Sequence, residues 1–486
     1  MSGLGVNIQK TSMFCQGIDS ATLDRIHALF NLKASSLPIR YLGLPLSSKK
    51  LSVGDCDPLI VQIKQKLDSW NNRLLSLAGR LSLLSSVISG IIGFWTSAFI
   101  LPLKVIKRIN SLSSSFLWHG KTGNSSGAKV AWRDLSYPKS EGGLGLRDIA
   151  SWNNACALKL IWMLFFRADS IWVAWIRNRY LSSSFWALND KNYAYSWMFR
   201  KILKLRSKAI QFLSIKVRNG DSTLFWWDPW TPFGSLFTYL GEDGPSRLGI
   251  PLNATVVWSG TGWNLPPART ERQVALHSFL LTIGCSNSND VSLWSVNGRA
   301  SKSFLLKEVW NETRCKKPEI PWASLLWHKA GLARHQITTW LFLLNRNPTM
   351  DRMSSWGFEM EGTCLLCGAN RETRDHLFFE CPFSAFVWER LMIQLDLCIV
   401  PMSWMNLLYW LQVASLDNTL RLAVLQGWQG AVYEIWREHN RRLHDGVTLS
   451  QGKVFRIIIS FVMDKCRALA LRFFKWRFDS SKVVSF

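Results

Sequence analysis

The sequence predicts a mainly α protein of several domains, with small β-hairpins set between helical segments. Three observations predict it. Apolar residues recur at three- and four-residue spacing through most of the chain, two Asn-Gly pairs interrupt strand-like runs, and a compact Cys/His array sits in a helical stretch. At 486 residues the chain exceeds what one hydrophobic core organises, so roughly two to four domains are expected. A content of 48% hydrophobic and 19% charged residues supports large cores and excludes wholesale disorder.

Residues 1–50 read as a mixed segment ending in LPIRYLGLPLSSKK, whose Pro and Gly interrupt any regular element. A helix then opens with Asp57 as N-cap and Pro58 at the first helical position, its apolar face formed by Leu59, Ile60, Ile63, Leu67, Trp70 and Leu74. A second helix starts near Ala78. A third, 105–118, turns Ile106, Ile109, Leu112, Phe116 and Leu117 inward. The Gly/Ser-rich stretch 120–127 is a surface loop, and 150–166 and 170–180 are further helices. Near Ile215 the character changes. Strand-like runs flank Asn219-Gly220 and again Asn297-Gly298, each reading as a hairpin. From Pro321 the pattern is helical again, and 404–474 offers three or four amphipathic helices, including 431–444.

The charge balance is one-sided. Fifty-eight Lys+Arg stand against 33 Asp+Glu, giving +25, which calls for a polyanionic partner: nucleic acid or an anionic membrane surface. Residues 81–103 carry no charge and are long enough to span a bilayer. Ser82, Ser85, Ser86 and Ser89 nevertheless form one face and Leu81, Leu84, Val87, Ile88 and Ile91 the other, as in a half-buried helix of a soluble bundle. A core helix is the expected reading and a transmembrane span is not. The first residues lack the basic head and apolar run of a secretory signal. Ten cysteines in this length make no disulfide framework, so a reduced intracellular protein, nuclear or cytoplasmic, is expected.

Only one cluster has metal-ligand spacing. TCLLCGANRETRDHLFFEC sets Cys364, Cys367, His376 and Cys381 in a C-x2-C-x8-H-x4-C array. Two cysteines two residues apart bind zinc from one tight turn, here closed by Gly368. Thr373 suits a helix N-cap, which puts His376 in the first turn and Cys381 near that helix's end. Three thiolates and one imidazole leave no open position for water, so the expected cofactor is a structural Zn2+ rather than a hydrolytic metal. Asp375 is a candidate acceptor behind His376. The competing reading is a few buried thiols and a surface histidine.

Other chemistry finds little support. GGLGLRD (142–148) lacks the GxGxxG spacing and reads as a loop before a helix. His328 and His335 have no carboxylate partner at metal spacing and read as structural. His119 closes a helix and suits its C-terminal dipole.

Several strings together resemble a known family. RYLGLPLS (40–47), SWNNRLLSLAGRLSLLSSV (69–87), ILPLKVIKRINSLSSSFLWHG (100–120), KVAWRDLSYPKSEGGLGLRDIASWNNACALKLIWML (129–164) and VRNGDSTLFWWDPW (217–230) precede the Cys/His array and HLFFECPFSAFVWERL (376–391). In this order they resemble the C-terminal part of plant non-LTR (LINE-type) retrotransposon reverse transcriptases, ending in the reverse-transcriptase zinc-binding domain. The resemblance implies five regions. Residues 1–50 are a remnant of the segment downstream of the polymerase palm, 51–210 a helical thumb-like connection region, and 211–300 a hairpin-containing linker. Residues 301–395 are the zinc-binding domain and 396–486 a basic helical tail. It implies RNA-directed DNA polymerase activity for the family, yet that chemistry needs a (F/Y)ADD carboxylate motif holding two metals. This sequence has no Asp-Asp pair. The expectation is therefore a fragment without the polymerase active site, with no recognisable ribonuclease H domain before Phe486.

Binding of RNA or DNA through phosphates is the expected residual function, with no small-molecule substrate. Lys104, Lys107 and Arg108 share one helix, and Arg437, Arg441 and Arg442 another, where Arg437 and Arg441 fall on one face. From Arg437 to Lys482 there are eleven Lys+Arg against four acids, interleaved with Phe473, Phe474 and Trp476. Two alternatives stand beside this reading. One is part of an active polymerase whose palm is supplied by a longer product; the other is a membrane-associated protein using residues 81–103.

Overall fold

A computed structural model describes residues 11, 13–15, 17–30, 39–46, 49–70, 75–123, 127–181, 184–256, 263, 265–284, 286–359, 362–397 and 403–468. The fold is mostly helical with two small antiparallel sheets, the mainly α class that the apolar periodicity predicts. The chain forms two compact units. One comprises 1–63, 90–109 and 149–315; the other comprises 64–89, 110–148 and 316–486. The expected aromatic cluster Phe473, Phe474 and Trp476 lies outside the described residues, as does Leu74.

In the first unit, β1 (Ile39–Tyr41) and β2 (Leu44–Leu46) make a hairpin where Pro and Gly were expected to prevent one. Leu42 and Gly43 both take positive φ, 52° and 86°, as a two-residue turn between twisted strands requires. The second sheet runs β3 (Leu213–Lys216), β4 (Val291–Val296), β5 (Arg299–Ser301), antiparallel throughout, with Leu213 opposite Trp294 and Val296 opposite Arg299. The Asn297-Gly298 turn closes β4 onto β5 as expected, with φ of 51° and 72°.

The Asn219-Gly220 hairpin does not form. Asp290 instead accepts from the Arg218 N–H (2.7 Å), the Gly220 N–H (3.0 Å) and the hydroxyls of Ser222 and Thr223. The carboxylate takes the donors that a strand partner needed, and β3 pairs with β4.

The helix expected at Asp57-Pro58 spans Asp57–Ser69 and buries Leu59, Ile60, Ile63 and Leu67. Its entry is built earlier than expected. Ser52 N–H donates to Asp55 Oδ2 (2.7 Å) and Asp55 N–H to Ser52 Oγ (3.1 Å), a reciprocal cap ahead of a short 3-10 turn. Two described helices, Leu77–Ala98 and Ile149–Phe166, are long and apolar enough to cross a membrane. The first buries Leu84, Ile88, Ile92 and Trp95 while Ser82, Ser85 and Ser86 stay exposed. It ends at Ala98, and a new helix starts at Leu103 after Pro102, so residues 81–103 are not one helix. Asn153 of Ile149–Phe166 is buried and caps the segment after Ala98, accepting from Leu101 N–H (2.6 Å) and donating to the Phe99 carbonyl (2.7 Å).

The second unit packs helix Asn418–His444 against Gln451–Ala468, Pro382–Gln394 and Ala333–Leu343. Its core joins Phe342, Phe378, Trp388, Trp404 and Trp428, all fully buried. Three glutamines satisfy the carbonyls that the short helix Ala323–Leu326 and its exit leave open. Gln336 donates to Leu326 and His328 carbonyls (3.0 Å each), Gln429 to Leu326 (2.9 Å), and Gln426 to Ala330. Burial pushes the imidazoles of His328 and His335 down to about 4 and about 3, and His335 packs on Tyr433 and Phe461. His335 stands as a neutral member of the core, and His328 as a neutral, half-buried residue beside it.

Candidate metal centre

The four residues of the Cys/His array converge. One donor atom from each of Cys364, Cys367, His376 and Cys381 lies within 4.8 Å of all the others. Cys364 Sγ is 4.0 Å from Cys381 Sγ, and Cys367 Sγ is 3.4 Å from His376 Nε2. Tetrahedral zinc, with Zn–S of about 2.3 Å and Zn–N of about 2.05 Å, has edges of about 3.8 Å (S···S) and about 3.6 Å (S···N). The donor set and its spacing therefore fit that ion, and Nε2 is the imidazole nitrogen turned toward it.

Local sequence explains each half of the cage. Thr363 bridges to Arg371, Cys364 N–H donates to the Asn370 carbonyl (2.8 Å), and Gly368 N–H donates to the Cys364 carbonyl (2.8 Å). Gly368 sits at φ 66°, which lets the chain double back directly after Cys367. The N–H groups of Leu366 and Cys367 face the Cys364 sulfur. In the other half Thr373 Oγ1 caps the His376 N–H (3.1 Å), as expected.

Beyond Thr373 the expected helix forms but is not α throughout: Leu377 N–H donates to the Thr373 carbonyl (2.9 Å), with His376 in the first turn. Residues His376–Glu380 make a single π-turn, with Cys381 N–H donating to the His376 carbonyl (2.7 Å). Pro382 excludes helical backbone at Cys381, which is extended and becomes the N-cap of Pro382–Gln394. Two features hold the Cys381 thiol below its usual range: its contact with Cys364, then the Phe383 and Ser384 N–H groups at that helix's start. Asp375, the candidate acceptor behind His376, instead faces Arg374 Nε at 3.3 Å.

The predicted nucleic-acid contacts separate into two groups. Lys104, Lys107 and Arg108 are exposed on helix Leu103–His119, with Arg108 3.8 Å from Asp57. Arg437 is 55% exposed beside Glu434 (3.5 Å). Arg441 and Arg442 turn inward instead, 18% and 17% exposed, onto the fully buried carboxylate of Glu438. Helical spacing placed Arg437 and Arg441 on one face, but it could not show that a buried glutamate claims the second. Arg442 also reaches the metal loop, donating to the carbonyls of Leu365 (3.1 Å) and Leu366 (2.9 Å). Sequence reasoning missed this brace. Its one legible signal is Glu438 four residues before Arg442.

A closed Cys3His cage in a helical module is the arrangement of a structural metal site, not of a hydrolytic centre. Residues 304–388, which contain the whole array, match the family described as zinc-binding in reverse transcriptase. An Arabidopsis thaliana protein named "Putative ribonuclease H protein" is 22% identical over 362 residues, which is 72% of this chain and 58% of the relative. An uncharacterized mitochondrial protein of the same plant is 26% identical over 135 residues, 28% of this chain and 88% of its own. The chain thus spans 58% of the length of the first of these relatives. It is a retrotransposon-like protein carrying a reverse-transcriptase zinc-binding domain, as the ordered strings implied.

Proposed function

We propose that this chain is a zinc-stabilised RNA- or DNA-binding region of a non-LTR retrotransposon reverse transcriptase, serving binding rather than catalysis. The observation that carries the reading is the convergence of Cys364, Cys367, His376 and Cys381 inside the matched segment, in a protein of charge +25. A bound zinc supplies a cross-link between the loop at 364–368 and the turn at 376–381. The chain's own residues do the rest. Gly368 and Pro382 set the two halves, and the exposed Lys104, Lys107, Arg108 and Arg437 offer phosphate contacts.

The test has two arms on the purified full chain. Elemental analysis should find about one zinc per chain, and chelation should lower its melting temperature. Affinity for an RNA or DNA oligonucleotide should fall with rising salt along a straight log–log line. Absence of metal, or an affinity indifferent to salt, overturns the corresponding arm.

Polymerase activity belongs to a longer product in this reading, because this sequence has no Asp-Asp pair. An in-frame (F/Y)ADD motif upstream would support it, and its absence would count against it. A membrane-associated protein using residues 81–103 is the second alternative, and the break between Ala98 and Leu103 counts against it. Full solubility on fractionation without detergent would eliminate it.

A further inference from the structure

Arg442 reaches the metal loop through two peptide groups. Its Nη1 donates to the carbonyls of Leu365 and Leu366, at 3.1 and 2.9 Å. The opposite ends of those same peptide units, the N–H groups of Leu366 and Cys367, face the Cys364 sulfur. Each peptide therefore carries a guanidinium at its negative end and a metal-binding sulfur at its positive end. A donor on the carbonyl polarises the peptide and strengthens the donor character of its N–H.

The guanidinium is itself fixed. Its Nε donates to Glu438 Oε1 (2.9 Å), and its Cζ lies over the Phe383 ring, 4.8 Å from the centroid. Glu438 Oε1 also accepts the Leu449 N–H (2.8 Å), while Oε2 accepts from Arg441. Swinging Arg442 into solvent would strip a buried carboxylate of a charged donor. The fork is thus held in place whether or not any other partner approaches.

We propose that Arg442 is a positioning residue of the metal centre, acting through the Leu365–Leu366 and Leu366–Cys367 peptides on the Cys364 thiolate. Helix Asn418–His444 is then part of the zinc-binding module, although it lies beyond the matched residues 304–388. Zinc occupancy and docking of this helix are coupled. The metal fixes the loop whose carbonyls hold Arg442, and Arg442 orients the N–H groups that neutralise a ligand. The inference rests on the zinc reading above.

The test compares the zinc-loaded full chain with Arg442→Met, Arg442→Lys and the double variant Glu438→Gln/Arg442→Met, which removes both buried charges together. Three quantities are read: zinc transfer to a chromogenic chelator, the sulfur-to-metal charge-transfer band after cobalt substitution, and helicity by circular dichroism. With helicity retained, Arg442→Met should release zinc roughly 10- to 100-fold faster and shift the cobalt band, with Arg442→Lys between it and wild type. The double variant should match Arg442→Met, and it decides the question if the single variant unfolds. A folded double variant with wild-type release and an unmoved band overturns the proposal. A wild-type chain that takes up no metal defeats the zinc reading itself, a distinct failure.

Discussion

His439 Nε2 lies 3.0 Å from Glu372 Oε2, with both side chains completely buried. The histidine comes from helix Asn418–His444, the glutamate from the segment between the two halves of the metal cage. Glu372 Oε1 accepts the Met350 N–H (3.0 Å), and the Trp436 ring stacks on His439 at 4.6 Å. Together with the Arg442 brace, this contact ties the long helix to the metal segment from a second side.

Removing the Glu372 carboxylate leaves the buried Met350 N–H without its acceptor, which should cost about 1–3 kcal/mol. Glu372→Ala is the expected worst case. Glu372→Gln keeps an acceptor for the Met350 N–H and should lose clearly less. Urea denaturation at fixed zinc concentration checks the order. Equal losses would show that the retained acceptor contributes nothing.

Cys381 has two duties that one pair of substitutions separates. As an N-cap it can be replaced by serine, which exceeds alanine by about 1 kcal/mol in that position. As a ligand it cannot. Metal-free Cys381→Ser should therefore be more stable than metal-free Cys381→Ala, while both lose tight zinc binding. Thermal melts of the metal-free proteins and zinc titrations measure the two effects.

Lys104, Lys107 and Arg108 are the exposed cations on one helix, so their joint replacement by alanine should weaken nucleic-acid binding without unfolding the chain. Losing up to three phosphate contacts should flatten the log K against log salt slope by roughly two to three. An unchanged slope would place the binding surface elsewhere. Arg441 and Arg442 are poor choices for this test, because changing them disturbs Glu438 first.

Gly143 and Gly145 should respond differently to alanine. A Cβ at Gly143 would stand 2.0 Å from the Tyr137 carbonyl oxygen, and that backbone has no flexible end to move. The loss should reach the top of the roughly 1–3 kcal/mol overpacking range. Gly145 has open space but φ of 74°, so alanine there should cost only about 1 kcal/mol. Denaturation midpoints of the two variants compare them directly.

Asp228 should make stability fall as pH rises through the mildly acidic range. Burial pushes its carboxyl up to about 6 from 3.8, against the Leu224 N–H and Ser184 hydroxyl, which favour the charged form, and with Asp290, which opposes it. Between these values the folded chain binds the proton more tightly than the unfolded one. The native state therefore loses stability from about pH 4 to about pH 6, by up to about 3 kcal/mol. Asp228→Asn should flatten this stretch, which urea midpoints at pH 4.5 and 7 would reveal.

The metal ligands were legible because their chemistry is local. C-x2-C-x8-H-x4-C, with Gly368 behind the second cysteine and Thr373 before the histidine, specifies turn, cap and donor types within eighteen residues. The buried stripe of Asp57–Ser69 was legible for the same reason, since one helix repeats its face every few residues. In Leu77–Ala98, by contrast, the π-turn Leu84–Ile88 moves the buried face from the expected Ile91 to Ile92 and Trp95. The Asn219-Gly220 hairpin misled because Asp290, far along the chain, takes its backbone donors. The π-turn at His376–Glu380 was hidden because a one-residue widening leaves no mark on apolar spacing.

By itself the sequence determined the mainly α class, the Asn297-Gly298 hairpin, the four candidate ligands and the excess of positive charge. Each comes from propensity, periodicity or composition within a short window. Only the tertiary structure decided where the charges point. Lys104 and Arg442 are both helical cations, yet one meets solvent and the other lies between Glu438 and two carbonyls of the metal loop. Whether a side chain is solvated or paired depends on partners brought close by folding, and no local window contains them.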